Sequence, residues 1–474
     1  MYTTSKPATQ TWAKAIAQPA KEFSLTTLPI LAGKVPANLR GTLYRNGPAR
    51  LERGTARVGH WFDGDGAILA VNFTDTEATA LYRYVQTQGY QEEAAAGQFL
   101  YGNYGMTAPG PIWNQWFKPI KNAANTSVLA LPDKLLALWE GGNPYALDLK
   151  TLQTWGCDDL GELENNLPYS AHPKIDTQTG EIFNFGVTPG LNATLNLYKS
   201  DATGRILKHA TFPLKGVPLV HDFVLAGEYL VFFIPPVRLN PLPILVGLNN
   251  FSDSLEWQPQ LGTEFLVFDR NLALVCRGET EAWYQWHFAN GYVDDRGHII
   301  VDVVRYEDFQ TNQYLKEVAT GETHTVAKSA LWKICLDPRL GKVRVMQNIL
   351  DRHCEFPVIP PHAVGKEPQQ IYLSVHRPSI DPRKEMFGAI ARFDYQIQTL
   401  AIADCGENRY PAEPIYAPDP ENPDRGWIVT IVYDGNTDSS EVWIFGDRLT
   451  EPPICRLGLP SVVPMGFHGT WKPA

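Results

Sequence analysis

Seven times along the chain, two runs of alternating apolar and polar residues flank a short turn that contains an aspartate, and this recurrence constrains the fold more than any other feature. The turns carry Asp75, Asp148, Asp201, Asp269, Asp337, Asp394 and Asp447, in segments such as PYALDLKTLQTW and FLVFDRNLALVCRG. Alternation with a period of two marks a half-buried strand, and an aspartate side chain accepts hydrogen bonds from the backbone of a tight turn, so each segment reads as a β-hairpin. Successive turn aspartates lie 53 to 73 residues apart, enough for one four-stranded sheet and its connections. Such sheets repeated about an axis make a β-propeller. The expectation is an all-β, seven-bladed β-propeller forming a single domain over residues 1–474, with about the first 35 residues as a peripheral segment. A pair of β-sandwiches whose turns happen to hold aspartate is the competing architecture. The 38 glycines and 37 prolines argue against a helical bundle, because both residues interrupt helices and serve turns.

Four of the 11 histidines fall at one phase of this repeat. His172 stands 24 residues past its turn aspartate, His221 20, His287 18 and His468 21. The strand that follows an outer hairpin returns to the axis, so equivalent positions on different blades can converge. Four imidazoles at one point would bind a metal; zinc, copper, iron and nickel all suit imidazole, and spacing does not choose among them. Four separate core histidines, each satisfied by backbone, are the plainer alternative. The same phase carries Glu355 and Glu413, 18 and 19 residues past Asp337 and Asp394, while Glu140 sits in the apolar segment LALWEGG. A ligating histidine commonly donates its second ring N–H to a carboxylate, and this role competes with ordinary salt bridges for the three glutamates. His209, His298, His324 and His376 stand beside charged or turn residues and are expected to face solvent, and His60 is expected to be structural.

Composition narrows the function classes. With 41 Lys+Arg against 51 Asp+Glu the net charge is −10, and no basic run appears, so the chain is no general nucleic-acid binder. Six cysteines without a CxxC pair read as reduced, mostly buried residues rather than zinc ribbons or redox pairs. The first residues lack a signal-peptide core, and no apolar run reaches the ~18 residues of a membrane span, so the expected compartment is cytoplasmic. GxSxG, HExxH and phosphate-loop motifs are absent. No obligate protein partner is evident.

The motifs LRGTLYRNGP (39–48), RVGHWFDGDGAI (57–68), KNAANTSV (121–128), LALWEGG (136–142), AHPKID (171–176), HDF (221–223), WHFANGY (286–292), EFPVI (355–359) and FHGTW (467–471) together resemble the carotenoid cleavage oxygenases, over nearly the whole chain. The resemblance implies a seven-bladed propeller with a helical and loop cap over an axial Fe(2+), bound by His172, His221, His287 and His468. It implies outer-shell roles for Glu140, Glu355 and Glu413, and makes Thr126 the residue that limits one coordination site. The implied reaction splits an alkene with O2 into two carbonyls, most simply a β-apocarotenal to retinal and a second product. Cleavage of a phenolic stilbene, which relatives perform, is the alternative, and a Tyr/Lys pair in the pocket would favour it. Outside enzymes, a metal-free propeller serving as an interaction platform remains.

An apolar polyene resides in membranes, so peripheral, monotopic contact is expected. PPVRLNPLPILVGL (235–248) offers Pro241, Leu242, Pro243, Ile244, Leu245, Val246 and Leu248 as an apolar patch, with Arg238 placed to face lipid phosphates. WNQWFKPIK (113–121) mixes tryptophan with lysine in the manner of an interfacial segment. Packing beneath the cap is the other reading of both. Trp139, Trp286, Phe288 and Tyr306, close in sequence to the ligand motifs, are candidate walls of a substrate tunnel or else plain core.

Overall fold

The computed structural model describes residues 10–164 and 167–474. Within these residues the chain forms an all-β, propeller-like fold. The first sheet orders its strands Phe23–Thr27, Ala78–Tyr84, Asp65–Phe73, Gly41–Arg50 and Gly469–Pro473. Four-stranded sheets follow over 127–157 and 174–213, then an eight-stranded sheet over 224–350, a four-stranded sheet over 354–404, and a six-stranded sheet over 409–458 that adds Ile30–Gly33 at its edge. The eight-stranded sheet is two antiparallel meanders joined by a single parallel pairing, Ala226 with Gly291.

Every turn aspartate lies between two paired strands near the outer edge of its sheet. Five of them close their turns as expected: the Oδ1 atoms of Asp148, Asp201, Asp269, Asp337 and Asp394 each accept backbone N–H groups two to four residues further on. The other two work differently. Asp75 pairs with Arg40, and the Asp447 carbonyl accepts the Tyr372 hydroxyl at 2.7 Å.

Alternation along the strands fills the spaces between neighbouring sheets with aliphatic and aromatic side chains. Leu69 and Val71 of the first sheet meet Val429, Ile431, Val442 and Ile444 of the last in one buried cluster. Each such residue contributes roughly 1.5–3 kcal/mol by leaving water. The chain ends interlock at this junction: Gly469–Pro473 pairs with Gly41–Arg50, and Ile30–Gly33 pairs with Cys455–Gly458. Of the segment expected to be peripheral, residues 1–9 lie outside the described residues. Phe23–Thr27 and Ile30–Gly33 are exposed edge strands, whereas the short 3-10 turn Thr11–Ile16 is anchored: Trp12 is fully enclosed and donates from Nε1 to the Lys384 carbonyl at 3.0 Å. Cys354, Cys405 and Cys455 are buried, Cys157 is exposed, and all six cysteines are free.

Candidate metal centre

His172, His221, His287 and His468 each stand just before the innermost strand of a sheet: Lys174–Ile175, Val224–Ala226, Phe288–Val293 and Gly469–Pro473. The ends of these strands converge, which is why one phase of the repeat carries them all. Ring centroids lie 4.3 Å apart for His172 and His221, 4.7 Å for His287 and His468, and 5.0 Å for His172 and His468. His287 lies 5.3 Å from both His172 and His221. One ring nitrogen from each of His172, His221 and His287 falls within 4.8 Å of the others.

Backbone approach holds this group in place. The His468 N–H donates to the Thr126 carbonyl at 3.1 Å and its carbonyl accepts the Asn46 N–H at 2.9 Å. Asn46 Nδ2 in turn donates to the carbonyls of Ala124 and Ser127. Gly47 and Gly466 touch so closely here that neither has room for a Cβ. Thr126 is buried on the cavity side, with Oγ1 donating to Asn125 Oδ1 at 3.0 Å.

Carboxylates sit behind three of the rings. Glu355 Oε2 lies 2.5 Å from His287 Nδ1 and Glu413 Oε1 2.8 Å from His468 Nδ1. Glu140 Oε1 lies 3.1 Å from His221 Nδ1, off the line of a hydrogen bond, and 3.6 Å from His172 Nε2. Burial pushes the His172 and His468 pKa values down. Burial also works against a charged His287, but Glu355 outweighs it and the pKa rises. Glu413 would be raised by burial, yet His468 and the nearby Arg45 guanidinium hold it low. Arg45 reaches Glu413 Oε2 at 3.4 Å and donates to the Glu413 and Phe467 carbonyls.

The donor set fits a divalent metal ion. An Nδ1–H directed at a carboxylate leaves Nε2 as a lone-pair donor, and the Nε2 atoms of His172 and His287 are buried without a hydrogen-bond partner. Asp222 is a residue that the sequence reading missed. Fully buried beside His221, it accepts the N–H groups of Phe223 and Phe288 at 2.8 and 2.9 Å and pairs with Lys174 at 2.7 Å, tying together the segments that carry His221 and His287. Its place directly after a histidine in HDF was the available signal.

The rings of His221, His287 and His468 line a cavity of about 730 Å³ whose walls include Trp139, Trp286 and Tyr306. Phe288 lies elsewhere: strand alternation turns it away from its neighbour His287 into the core against Phe233. His376 also departs from expectation, because it is buried and lines the cavity instead of facing solvent. His60 is enclosed and accepts the Phe62 N–H at Nδ1, the capping role of a structural residue.

The two apolar segments come together at the surface, where Trp116 Nε1 of the helix Trp113–Phe117 donates to the Leu245 carbonyl of the helix Pro241–Leu245 at 3.0 Å. Phe117 is 81% exposed and Leu248 78%, and Leu242, Leu245, Val246 and Pro241 are exposed as well; Pro243 and Ile244 are half-buried. Ile120, 60% exposed, also lines the cavity, which therefore opens beside this patch. Arg238 does not reach outward. Its guanidinium donates to the carbonyls of Pro235 and Val237 at 2.8 and 3.0 Å. No helix among the described residues is long and apolar enough to cross a membrane.

Buried imidazoles backed by carboxylates and opening on an apolar cavity define a metal-dependent enzyme. Residues 16–473 match the family described as RPE65, retinal pigment epithelial membrane protein, and the chain belongs to this family of carotenoid cleavage oxygenases, as an oxidoreductase. It is 32% identical over 456 residues to apocarotenoid-15,15'-oxygenase of Synechocystis sp., covering 93% of this chain and 91% of that protein. It is 25% identical over 468 residues to resveratrol cleavage oxygenase 1 of Aspergillus fumigatus, covering 93% and 91%. The crystal structure of cobalt-substituted Synechocystis ACO matches with a TM-score of 0.90 at 31% identity, over 98% of this chain and 99% of that one.

Proposed function

We propose that this chain is a non-haem Fe(2+) dioxygenase that cleaves a C=C bond of a carotenoid-derived polyene with O2, converting a β-apocarotenal to retinal and a second carbonyl product. His172, His221, His287 and His468 would hold the iron, with Glu140, Glu355 and Glu413 fixing ring tautomers and Thr126 limiting access on one side. When bound, ferrous iron supplies the O2 chemistry that side chains cannot. The protein orients one double bond and excludes water, and burial favours the neutral form of His172 and His468. Dividing the eight-stranded sheet at the Ala226 and Gly291 pairing yields seven sheets of four to six strands, the two-stranded ribbons aside. On this reading the fold is one seven-bladed propeller domain, capped by the short helices and loops between blades.

The observation that carries the substrate class is the lack of a free cation in the cavity wall. Lys121 is the one lysine or arginine among its described lining residues, and its Nζ is held by Asp65 and, at 2.7 Å, by Glu93. Tyr101, beside it, donates its hydroxyl to Glu92. A phenolic stilbene would therefore find no available Tyr/Lys pair, whereas an apolar polyene needs none. The resveratrol-cleaving relative makes stilbene cleavage the second reading. We also propose that the exposed patch around Phe117, Leu245 and Leu248 dips into one leaflet and delivers the polyene to the opening at Ile120 from the cytoplasmic side.

Metal analysis with oxygen uptake over apocarotenals and stilbenes tests this. Iron with O2 consumed over an apocarotenal, and retinal identified by mass spectrometry, is the expected result, and His221→Ala should lose the metal while staying folded. A protein that consumes no O2 over either class, or a His221→Ala variant with full iron content, would refute the assignment.

A further inference from the structure

Away from the metal centre, the cavity wall carries a second pair of imidazoles. His353 and His376 have ring centroids 4.7 Å apart, and Phe387 packs on both, 5.4 Å from His353 and 4.7 Å from His376. All three line the cavity together with Met386 and Tyr410. His376 is only 8% exposed, and its Nδ1 is buried without a hydrogen-bond partner. A buried polar nitrogen left unpaired is costly, and such groups ordinarily have a partner. Among the described residues, the one charged side chain that bonds this pair does so at the backbone and is not part of the cavity wall: Arg352 donates to the His376 carbonyl at 2.8 Å, while the backbone of Met386 is a hydrogen-bond neighbour of the His376 ring. The Tyr410 hydroxyl is already given to Glu385 at 2.8 Å. Burial lowers both imidazole pKa values, to about 3 for His353 and about 4 for His376, so both rings are neutral near pH 7. A neutral imidazole offers one donor and one acceptor. An apolar niche with neutral hydrogen-bonding groups suits an uncharged oxygen; a carboxylate there would lack a compensating charge.

We propose that His353 and His376 form a subsite for an uncharged oxygen, hydroxyl or carbonyl, on one end of the substrate, and so select oxygenated polyenes over hydrocarbon ones. This rests on the polyene reading of the cavity and adds to it the residues that recognise the substrate's polar end.

The test uses the iron-loaded protein and four polyenes of equal length whose variable terminus is a hydrocarbon, an alcohol, an aldehyde or a carboxylate. Binding is measured under argon by quenching of tryptophan fluorescence, and cleavage in air by product analysis. The parent should bind the alcohol or the aldehyde about tenfold more tightly than the hydrocarbon, the worth of one buried hydrogen bond, with the carboxylate no better than the hydrocarbon. His376→Phe and His353→Phe should erase that preference while binding the hydrocarbon as the parent does, and His376→Gln, which keeps a donor and an acceptor, should retain most of it. If one phenylalanine variant fails to fold, the other decides. A parent with no preference, a carboxylate bound best, an unchanged preference in the variants, or no polyene bound at all would overturn the proposal. Selective binding without cleavage in air would instead sink the cleavage reading and leave the subsite standing.

Discussion

Replacing Glu355 by glutamine isolates what a carboxylate does behind a metal-binding ring. Its Oε2 accepts from His287 Nδ1 at 2.5 Å and from the Phe356 N–H at 2.6 Å, while Oε1 accepts the Tyr306 hydroxyl at 3.1 Å. Glutamine keeps the shape and can still present one oxygen to His287, with its amide group toward Tyr306, whose hydroxyl can turn to accept. What is lost is the negative charge. A charge-assisted hydrogen bond is worth about 1 to 1.5 kcal/mol more than a neutral one, which predicts metal binding roughly tenfold weaker in Glu355→Gln. Glu355→Ala leaves the His287 and Tyr306 donors without an acceptor and should approach the roughly 100-fold upper range for such partners. Titration of the loaded protein with a chelator, read as metal retained, measures both. Glu413→Gln should behave differently, because it also strands the buried Arg45 and so costs about 3 kcal/mol of stability in urea unfolding, which Glu355→Gln does not. Parent-like metal retention in both Glu355 variants would refute the reasoning.

Two further outcomes follow from groups outside the centre. Burial lowers the pKa of His60 to about 3 and of His376 to about 4, so the folded state keeps them neutral while the unfolded chain takes up protons below about 6.5. Stability present above pH 6.5 is therefore lost as pH falls toward these values, at about 1.4 kcal/mol per unit per histidine. Urea unfolding at pH 6.5 and 5 should show a drop about 2 kcal/mol smaller in His376→Phe than in the parent; an identical drop would contradict the assignment. At the surface, Phe117→Ser with Leu245→Ser should cut sedimentation with neutral phosphatidylcholine vesicles at least about tenfold, since each apolar side chain contributes roughly 2 kcal/mol when buried, and added salt should not change the result. Equal partitioning of variant and parent would count against insertion.

The hairpins and the histidine cluster were readable in the chain because both rest on short-range periodicity. An aspartate closes its turn through atoms two to four residues away, and a strand end reaches the axis whatever surrounds it. Errors arose where the partner is distant in sequence. His376 looked solvent-facing beside Arg377, yet it continues the face of Tyr372 and Ser374, opposite to Ile371, Leu373 and Val375. Phe288 could have been assigned to the core by the same parity rule, being one residue past His287. Lys121 gives no local hint that Asp65 and Glu93 neutralise it, and Arg238 none that backbone carbonyls of its own loop capture it. Such pairings are set by tertiary packing, which periodicity does not encode.

His468 and the strand that begins immediately after it, Gly469–Pro473, are the last structured part of the chain, and that strand pairs with Gly41–Arg50 near the beginning. The fourth imidazole thus takes its place only when two segments more than 400 residues apart in sequence meet. During synthesis, three of the histidines leave the ribosome long before the fourth, so a nascent chain can offer a metal only part of its binding group. Completion of the group therefore waits on the pairing of Gly469–Pro473 with Gly41–Arg50. A chain that stopped short of His468 would lose that imidazole and the strand Gly469–Pro473 in one stroke.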